Sequence, residues 1–114
     1  MLVQVRPSQL QEWVQSLGDG AGRPIMLDVR EAWEVRTAAV QPGAFDLATI
    51  PMGELTARLG ELDVERPVAC LCHHGTRSQR VAMFLAQQGF ENVANIAGGI
   101  EAWSREVDAG VPRY

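Results

Sequence analysis

The sequence predicts an α/β domain built on a mainly parallel sheet with helices on both faces. Three observations carry that expectation. Short, nearly continuous apolar runs ("LVQV", "PIMLDV", "PVACLC", "NVANI") alternate with segments of helical period. Runs of this kind belong to strands buried on both faces, unlike the alternating strands of a half-solvated antiparallel sheet. At 114 residues, 46% of them hydrophobic, the chain can fill one core but not two, so a single domain over residues 1–114 is expected.

Taken in order, "LVQV" reads as the first short strand, and "SQLQEWVQSLG" as a helix with Leu10, Trp13, Val14 and Leu17 on one stripe. Ser8 and Gln11 have the spacing of a capping box, and Gly18 suits the stop. "PIMLDV" is a buried strand ending at Asp28 and Val29, after which "REAWEVRT" forms a short turn of helix. Pro42 and Gly43 mark a loop before a further short strand in "AFDLATI", and Met52, Leu55, Leu59 and Leu62 then recur at helical spacing. "PVACLC" is the clearest buried strand. The helix after it, "SQRVAMFLAQQG", is apolar nearly all round from Val81 to Ala86, which predicts little solvent exposure, and it stops at Gly89. "NVANI" is the last strand, Ile100, Trp103 and Val107 lie on the last helix, and residues 107–114, ending in "DAGVPRY", are expected to form a loose tail.

Composition removes several classes of function. A net charge of -4 leaves no basic stripe to neutralise a phosphate backbone, so nucleic acid is not expected as a partner. No apolar run approaches the roughly 20 residues of a membrane span, and "MLVQVRPS" is too short in apolar residues for a secretory signal. A cytoplasmic location without membrane association is expected. The only cysteines, Cys70 and Cys72, are two apart on a strand and share a face without facing each other. A disulfide between them is not expected, in keeping with a reducing compartment.

Ligands of such sheets bind outside the carboxyl ends of the strands, and Asp28 and Cys72 both fall there. In "VACLCHHGTRSQR", Cys72 is followed by a short loop containing Gly75 and then by a helix, so successive backbone N–H groups can converge on one point. The helix N-terminus adds partial positive charge, Arg77 a full one, and His73 and His74 more when protonated. Such surroundings favour a thiolate over a thiol, which makes Cys72 a candidate nucleophile at neutral pH. The same nest would stabilise an anionic group carried on Cys72, a persulfide included.

Blander readings stand beside this one. A buried cysteine is often inert packing, which suits Cys70, inside the strand, better than Cys72. Cys70, Cys72, His73 and His74 are metal-ligand types, but four in five residues cannot readily surround an ion, and no metal is expected. His73 and His74 rim the pocket or are simply solvated. Arg77 either pairs with a donor's oxygens or braces the loop by bonding a carboxylate. Asp28, Arg30 and Glu31 read as structural, Gly98 and Gly99 as sources of backbone freedom or close approach, and Trp13 and Trp103 as core. Trp33, just past a strand end, is free to line the site.

"LDVREAWE", "PMGEL", "CHHGTRS" and "NIAGGIEAW", in that order and at that spacing, resemble the single-domain rhodanese family of sulfurtransferases. The resemblance runs from about Leu2 to Val107. It implies a rhodanese-like three-layer α/β/α fold with a five-stranded mainly parallel sheet. It also implies that Cys72 is catalytic, accepting a sulfane sulfur from a small donor such as thiosulfate and passing it as a persulfide to a thiol or cyanide acceptor. His73, His74, Gly75, Thr76, Arg77 and Ser78 would form the substrate-binding loop, with Asp28 and Arg30 in support. No cofactor is implied, because both displacements need only the thiolate and the nest. The alternative is a persulfide carrier that serves a dedicated protein partner in sulfur-containing cofactor assembly or tRNA thiolation.

Two details qualify the match. Where the family carries a segment like "GHIPGA", this chain has "AVQPGA", so Val40 and Gln41 replace a histidine and an apolar residue, a change expected to touch packing or substrate access. Four residues separate Cys72 from Arg77, whereas related cysteine-dependent phosphatases place five there. The tighter loop suits a single sulfur atom better than a phosphate.

Overall fold

Five apolar runs become five strands, β1 (Val3–Val5), β2 (Ile25–Asp28), β3 (Asp46–Thr49), β4 (Val68–Leu71) and β5 (Val93–Ile96). The computed structural model describes residues 2–114, so Met1 of the expected domain span lies outside it. The strands form one sheet in the order β1-β5-β4-β2-β3, and every pairing is parallel. Residues alternate between faces along each strand. Ile25, Leu27, Val68 and Cys70 therefore join Leu55 of α3 (Leu55–Arg58) and Val81, Ala82 and Leu85 of α4 (Thr76–Gln87) in one core. Met26, Ala69 and Leu71 point the other way, against Ile100 and Trp103 of α5 (Gly99–Glu106), with Leu10 and Trp13 of α1 (Leu10–Ser16) at the margin. The result is the three-layer α/β/α arrangement. A fifth helix, α2 (Ala32–Thr37), follows β2.

Several local expectations are corrected. The N-terminal capping box uses Arg6 and Gln9, with the Arg6 N–H donating to Gln9 Oε1 at 3.3 Å, because a 3-10 turn over Pro7–Gln9 precedes α1. Ser8 lies inside that turn and donates instead to Glu106 at 3.0 Å. The helix expected from Met52 to Leu62 is a short α3 flanked by 3-10 turns at Met52–Glu54 and Leu59–Glu61. Helix α4 is amphipathic: Ser78, Val81, Ala82 and Leu85 are buried, while Met83 is exposed. Val107 falls just past α5 and is likewise exposed.

The expectation of a loose tail is also overturned. Val111 is buried in the second core, and its carbonyl accepts from Ser104 Oγ at 2.7 Å. Arg113 bonds Glu101, and Tyr114 packs its ring on His73 at a centroid distance of 3.9 Å. One apolar anchor and a set of satisfied polar groups outweigh the entropy of ordering these few residues. Among the described residues no helix is long and apolar enough to cross a membrane. Parallel pairing of β2 with β4 sets Asp28 beside Leu71, so the chain leaves both strands at the same edge of the sheet, where the candidate site lies.

Candidate active site

Cys72 follows β4 directly and is only 1% exposed. Its Sγ lies 3.1 Å from the Gly75 N–H, which donates to it, and 3.2 Å from the Ser78 hydroxyl. Gly75 makes this possible as the residue that caps α4, with φ +106°, a conformation that side chains resist. The turn also seats against β5 and the start of α5, since a Cβ on Gly75 would come within 3.3 Å of the Gly98 nitrogen. Cys72 thus sits immediately before the N-terminus of a 12-residue helix, where partial positive charge favours an anion.

A second helix start holds the beginning of the loop. The Ile100 N–H donates to the Cys72 carbonyl at 2.9 Å and the Glu101 N–H to the His73 carbonyl at 3.2 Å. That contact explains Gly99, whose Cβ would lie 2.3 Å from the His73 oxygen. Gly98 and Gly99 both adopt positive φ, in line with the backbone freedom and close approach read from the sequence.

Arg77 is a brace. Its two Nη atoms donate to the two carboxylate oxygens of Glu34 on α2, at 2.7 and 2.8 Å. The guanidinium, with further help from the Glu31 N–H and Tyr114 hydroxyl, holds the Glu34 carboxyl down at about 2. Of the two roles open to Arg77 in the sequence, the structure displays the carboxylate bond. Further back, buried Arg30 grips Asp28 through both oxygens, at 2.9 and 2.6 Å. Arg30 also donates to the Ala38 carbonyl at 2.7 Å and the Tyr114 hydroxyl at 3.0 Å. Tyr114 in turn donates to Glu34 at 2.9 Å, so one continuous network links the end of β2, α2, the loop and the tail.

The two histidines differ in exposure. His73 is stacked between Tyr114 and His74, each ring centroid 3.9 Å away. Burial, followed by the neighbouring His74, pushes its pKa below the usual imidazole value. His74 and Thr76 are exposed and line, with Arg80 and Asn95, a groove of about 320 Å³ on the outer side of the loop. Trp33 is exposed and stands edge-on to Tyr114. Val40, by contrast, is buried in the second core, and Gln41 borders the apolar cleft beneath α1.

Cys70 is fully buried, and its desolvation, with Cys72 nearby, pushes its pKa up. Both cysteines are free thiols. His73, His74 and Glu101 bring possible metal-ligand atoms within 4.8 Å of one another. Their arrangement suits chelation poorly: the two imidazoles stack nearly parallel, and Glu101 Oε1 already accepts from Arg105 and Arg113.

Four residues of the site received no role from the sequence: Asn95 and Glu34, which lie within quoted motifs, and Gln4 and Tyr114, which lie outside them. Ser78 Oγ donates to Asn95 Oδ1 at 2.6 Å, while Asn95 Nδ2 donates to the Gly75 carbonyl at 3.1 Å and Gln4 Oε1 at 2.9 Å. A signal for Asn95 existed, because an asparagine inside the apolar strand "NVANI" must find partners when buried.

The rhodanese-like domain family model matches residues 10–106, most of the chain and all of the site except Gln4 and Tyr114. The chain belongs to the rhodanese-like domain family. This rhodanese-like domain is 40% identical over 88 residues to thiosulfate sulfurtransferase GlpE of Actinobacillus succinogenes, covering 77% of this chain and 73% of the relative. Among solved structures it is similar to a rhodanese-related protein from Thermoplasma volcanium, with a TM-score of 0.74 and 27% identity over 98% of this chain and 99% of the other. The fold also matches the polysulfide-sulfur transferase homodimer of Wolinella succinogenes, with a TM-score of 0.67 and 24% identity over 92% of this chain and 74% of that one. By this kinship the chain is an enzyme of the rhodanese type, within the sulfurtransferases.

Proposed function

We propose that this rhodanese-type domain moves a sulfane sulfur from a small donor such as thiosulfate to a thiol or cyanide, through a persulfide on Cys72. The observation that carries the reading is the Cys72 sulfur held between the Gly75 N–H and the Ser78 hydroxyl at the start of α4. In the first displacement the Cys72 thiolate attacks the outer sulfur of thiosulfate, an S–S bond forms, and sulfite leaves with the electron pair of the broken bond. In the second, cyanide or a thiolate attacks the terminal sulfur, and the Cys72 thiolate is the leaving group. Donors that point to a negatively charged sulfur favour that anion in both the resting and the loaded states. The near closure of Cys72, 1% exposed, favours donors that present one projecting sulfur atom. His74 and Thr76 line the groove beside the loop, while Arg77, Asp28 and Arg30 hold the loop in shape. Two free cysteines suit a reducing compartment such as the cytoplasm.

Two separate displacements require double-displacement kinetics. Initial rates measured against thiosulfate at several cyanide concentrations should give parallel double-reciprocal lines, and Cys72→Ser should lower turnover by about 10³-fold or more. Intersecting lines together with an active Cys72→Ser variant would refute the scheme. A persulfide that forms but does not turn over with cyanide or small thiols would assign the acceptor role to a dedicated protein.

A further inference from the structure

We infer that Asn95 is the positioning residue of the nucleophile: one buried amide on β5 holds both groups that touch the Cys72 sulfur. The inference rests on Cys72 being the reacting group, as proposed above.

Asn95 is 2% exposed, and its strand register places it between Cys70 on β4 and Gln4 on β1. Its orientation follows from its partners. The Gly75 carbonyl, 3.1 Å away, can only accept a hydrogen bond, so the atom facing it is Nδ2, and Oδ1 is left facing Ser78 at 2.6 Å. Gln4 Oε1 accepts the second Nδ2 hydrogen at 2.9 Å, which completes the donor side of the amide. The two ends of Asn95 thereby hold the two residues that reach the sulfur. Nδ2 fixes the Gly75 turn, whose N–H lies 3.1 Å from Sγ, and Oδ1 fixes the Ser78 hydroxyl, 3.2 Å from Sγ.

The Ser78 hydroxyl has a single hydrogen. While Cys72 is a thiol, a continuous relay fits the distances: the S–H points to Ser78 Oγ, and the Ser78 O–H points to Asn95 Oδ1. Once the thiol proton leaves, the single Ser78 hydrogen serves either Asn95 Oδ1 or the sulfur, so the donor that Asn95 keeps on the anion is the Gly75 N–H, through the bond from Nδ2 to the Gly75 carbonyl. Without Asn95 the Gly75 carbonyl keeps only the Gln79 N–H, at 3.2 Å, and the turn that aims the Gly75 N–H at the sulfur is less firmly held. Hydrogen bonds to a charged acceptor are the stronger class, so the loss should register in the chemistry of the thiolate.

The test is the pH dependence of Cys72 alkylation by iodoacetamide, read by mass in native protein, Asn95→Ala, Asn95→Asp and Ser78→Ala. Around Cys72 stand Cys70, His73, His74 and the Arg77–Glu34 pair, which all variants keep; Asn95→Asp adds a charge of its own, so Asn95→Ala is the variant whose shift reports the network. Asn95→Ala should raise the alkylation midpoint by about half to one pH unit and lower kcat/KM about tenfold. Asn95→Asp is equal in size and keeps the fold filled, but puts an acceptor where Nδ2 donated; it should raise the midpoint further. Ser78→Ala and Asn95→Ala should be non-additive, because the one Ser78 hydrogen goes either to Asn95 Oδ1 or to the sulfur. Folded Asn95→Ala and Asn95→Asp proteins with the native midpoint would overturn the inference. Alkylation needs no sulfur donor, so the two readings fail separately. A native protein that never takes up sulfur refutes the function, whereas a native persulfide with unmoved midpoints refutes only the role of Asn95.

Discussion

Glu34 carries a charge that the loop depends on. Its carboxylate takes both Arg77 Nη atoms and the Tyr114 hydroxyl, and its pKa lies at about 2 against an ordinary 4.5. A depressed carboxyl contributes stability that is fully present above the unfolded value and is lost as pH falls through the folded one. Glu34→Gln should therefore destabilise the protein at pH 7 by roughly 1–3 kcal/mol, toward the lower end because Arg77 is partly exposed. The deficit should shrink between pH 4.5 and about 2, until native and variant unfold alike in urea. A deficit that persists unchanged at pH 2 would show that shape, not charge, matters at Glu34. The sequence made Cys72 and its loop readable because the chemistry is local: a thiol, a glycine, and an arginine within six residues. Glu34 and Tyr114 were not readable as site residues, since what they touch lies 43 and 41 positions from them, at Arg77 and His73. The same distance hid the choice between substrate and brace for Arg77.

Between elements, the decisive contact is the start of α5 against the first two residues of the loop. Two N–H groups of α5 hold the Cys72 and His73 carbonyls, and only a glycine at position 99 lets the backbones come so near. Gly99→Ala forces a Cβ to within 2.3 Å of the His73 oxygen at a positive φ, so loop and helix must separate. Thermal melts should show a loss of more than about 2 kcal/mol, and sulfur uptake by Cys72 should fall with it. An alanine variant of native stability and native uptake would mean that this contact does not shape the loop. Strands and long helices were legible because burial on both faces writes a continuous apolar run and α4 carries its own period. The 3-10 turns around α3 were not, because apolar residues at spacings of three and four fit either helix, and neither was the docking of the tail. Val111 and Tyr114 have partners on α5, α2 and the loop, which no local pattern announces.

At the scale of the molecule, the parallel sheet turns sequence order into a site. With every strand pointing the same way, β2 and β4 deliver Asp28 and Cys72 to one edge, and β5 brings Asn95 beside them. This placement follows from the fold class, which is why the position of the site could be foreseen while its hydrogen bonds could not. Cys70 on β4 and Cys72 just past its end share one core, and they divide the work: Cys70 is sealed within it, whereas Cys72 meets the loop. Intact-mass measurement after incubation with thiosulfate, on native protein, Cys72→Ser and Cys70→Ala, decides whether Cys72 carries the sulfur. One sulfur atom should be added to native protein and to Cys70→Ala, removable by cyanide, with none on Cys72→Ser. Sulfur retained on Cys72→Ser, or lost from a folded Cys70→Ala, would contradict this role of Cys72.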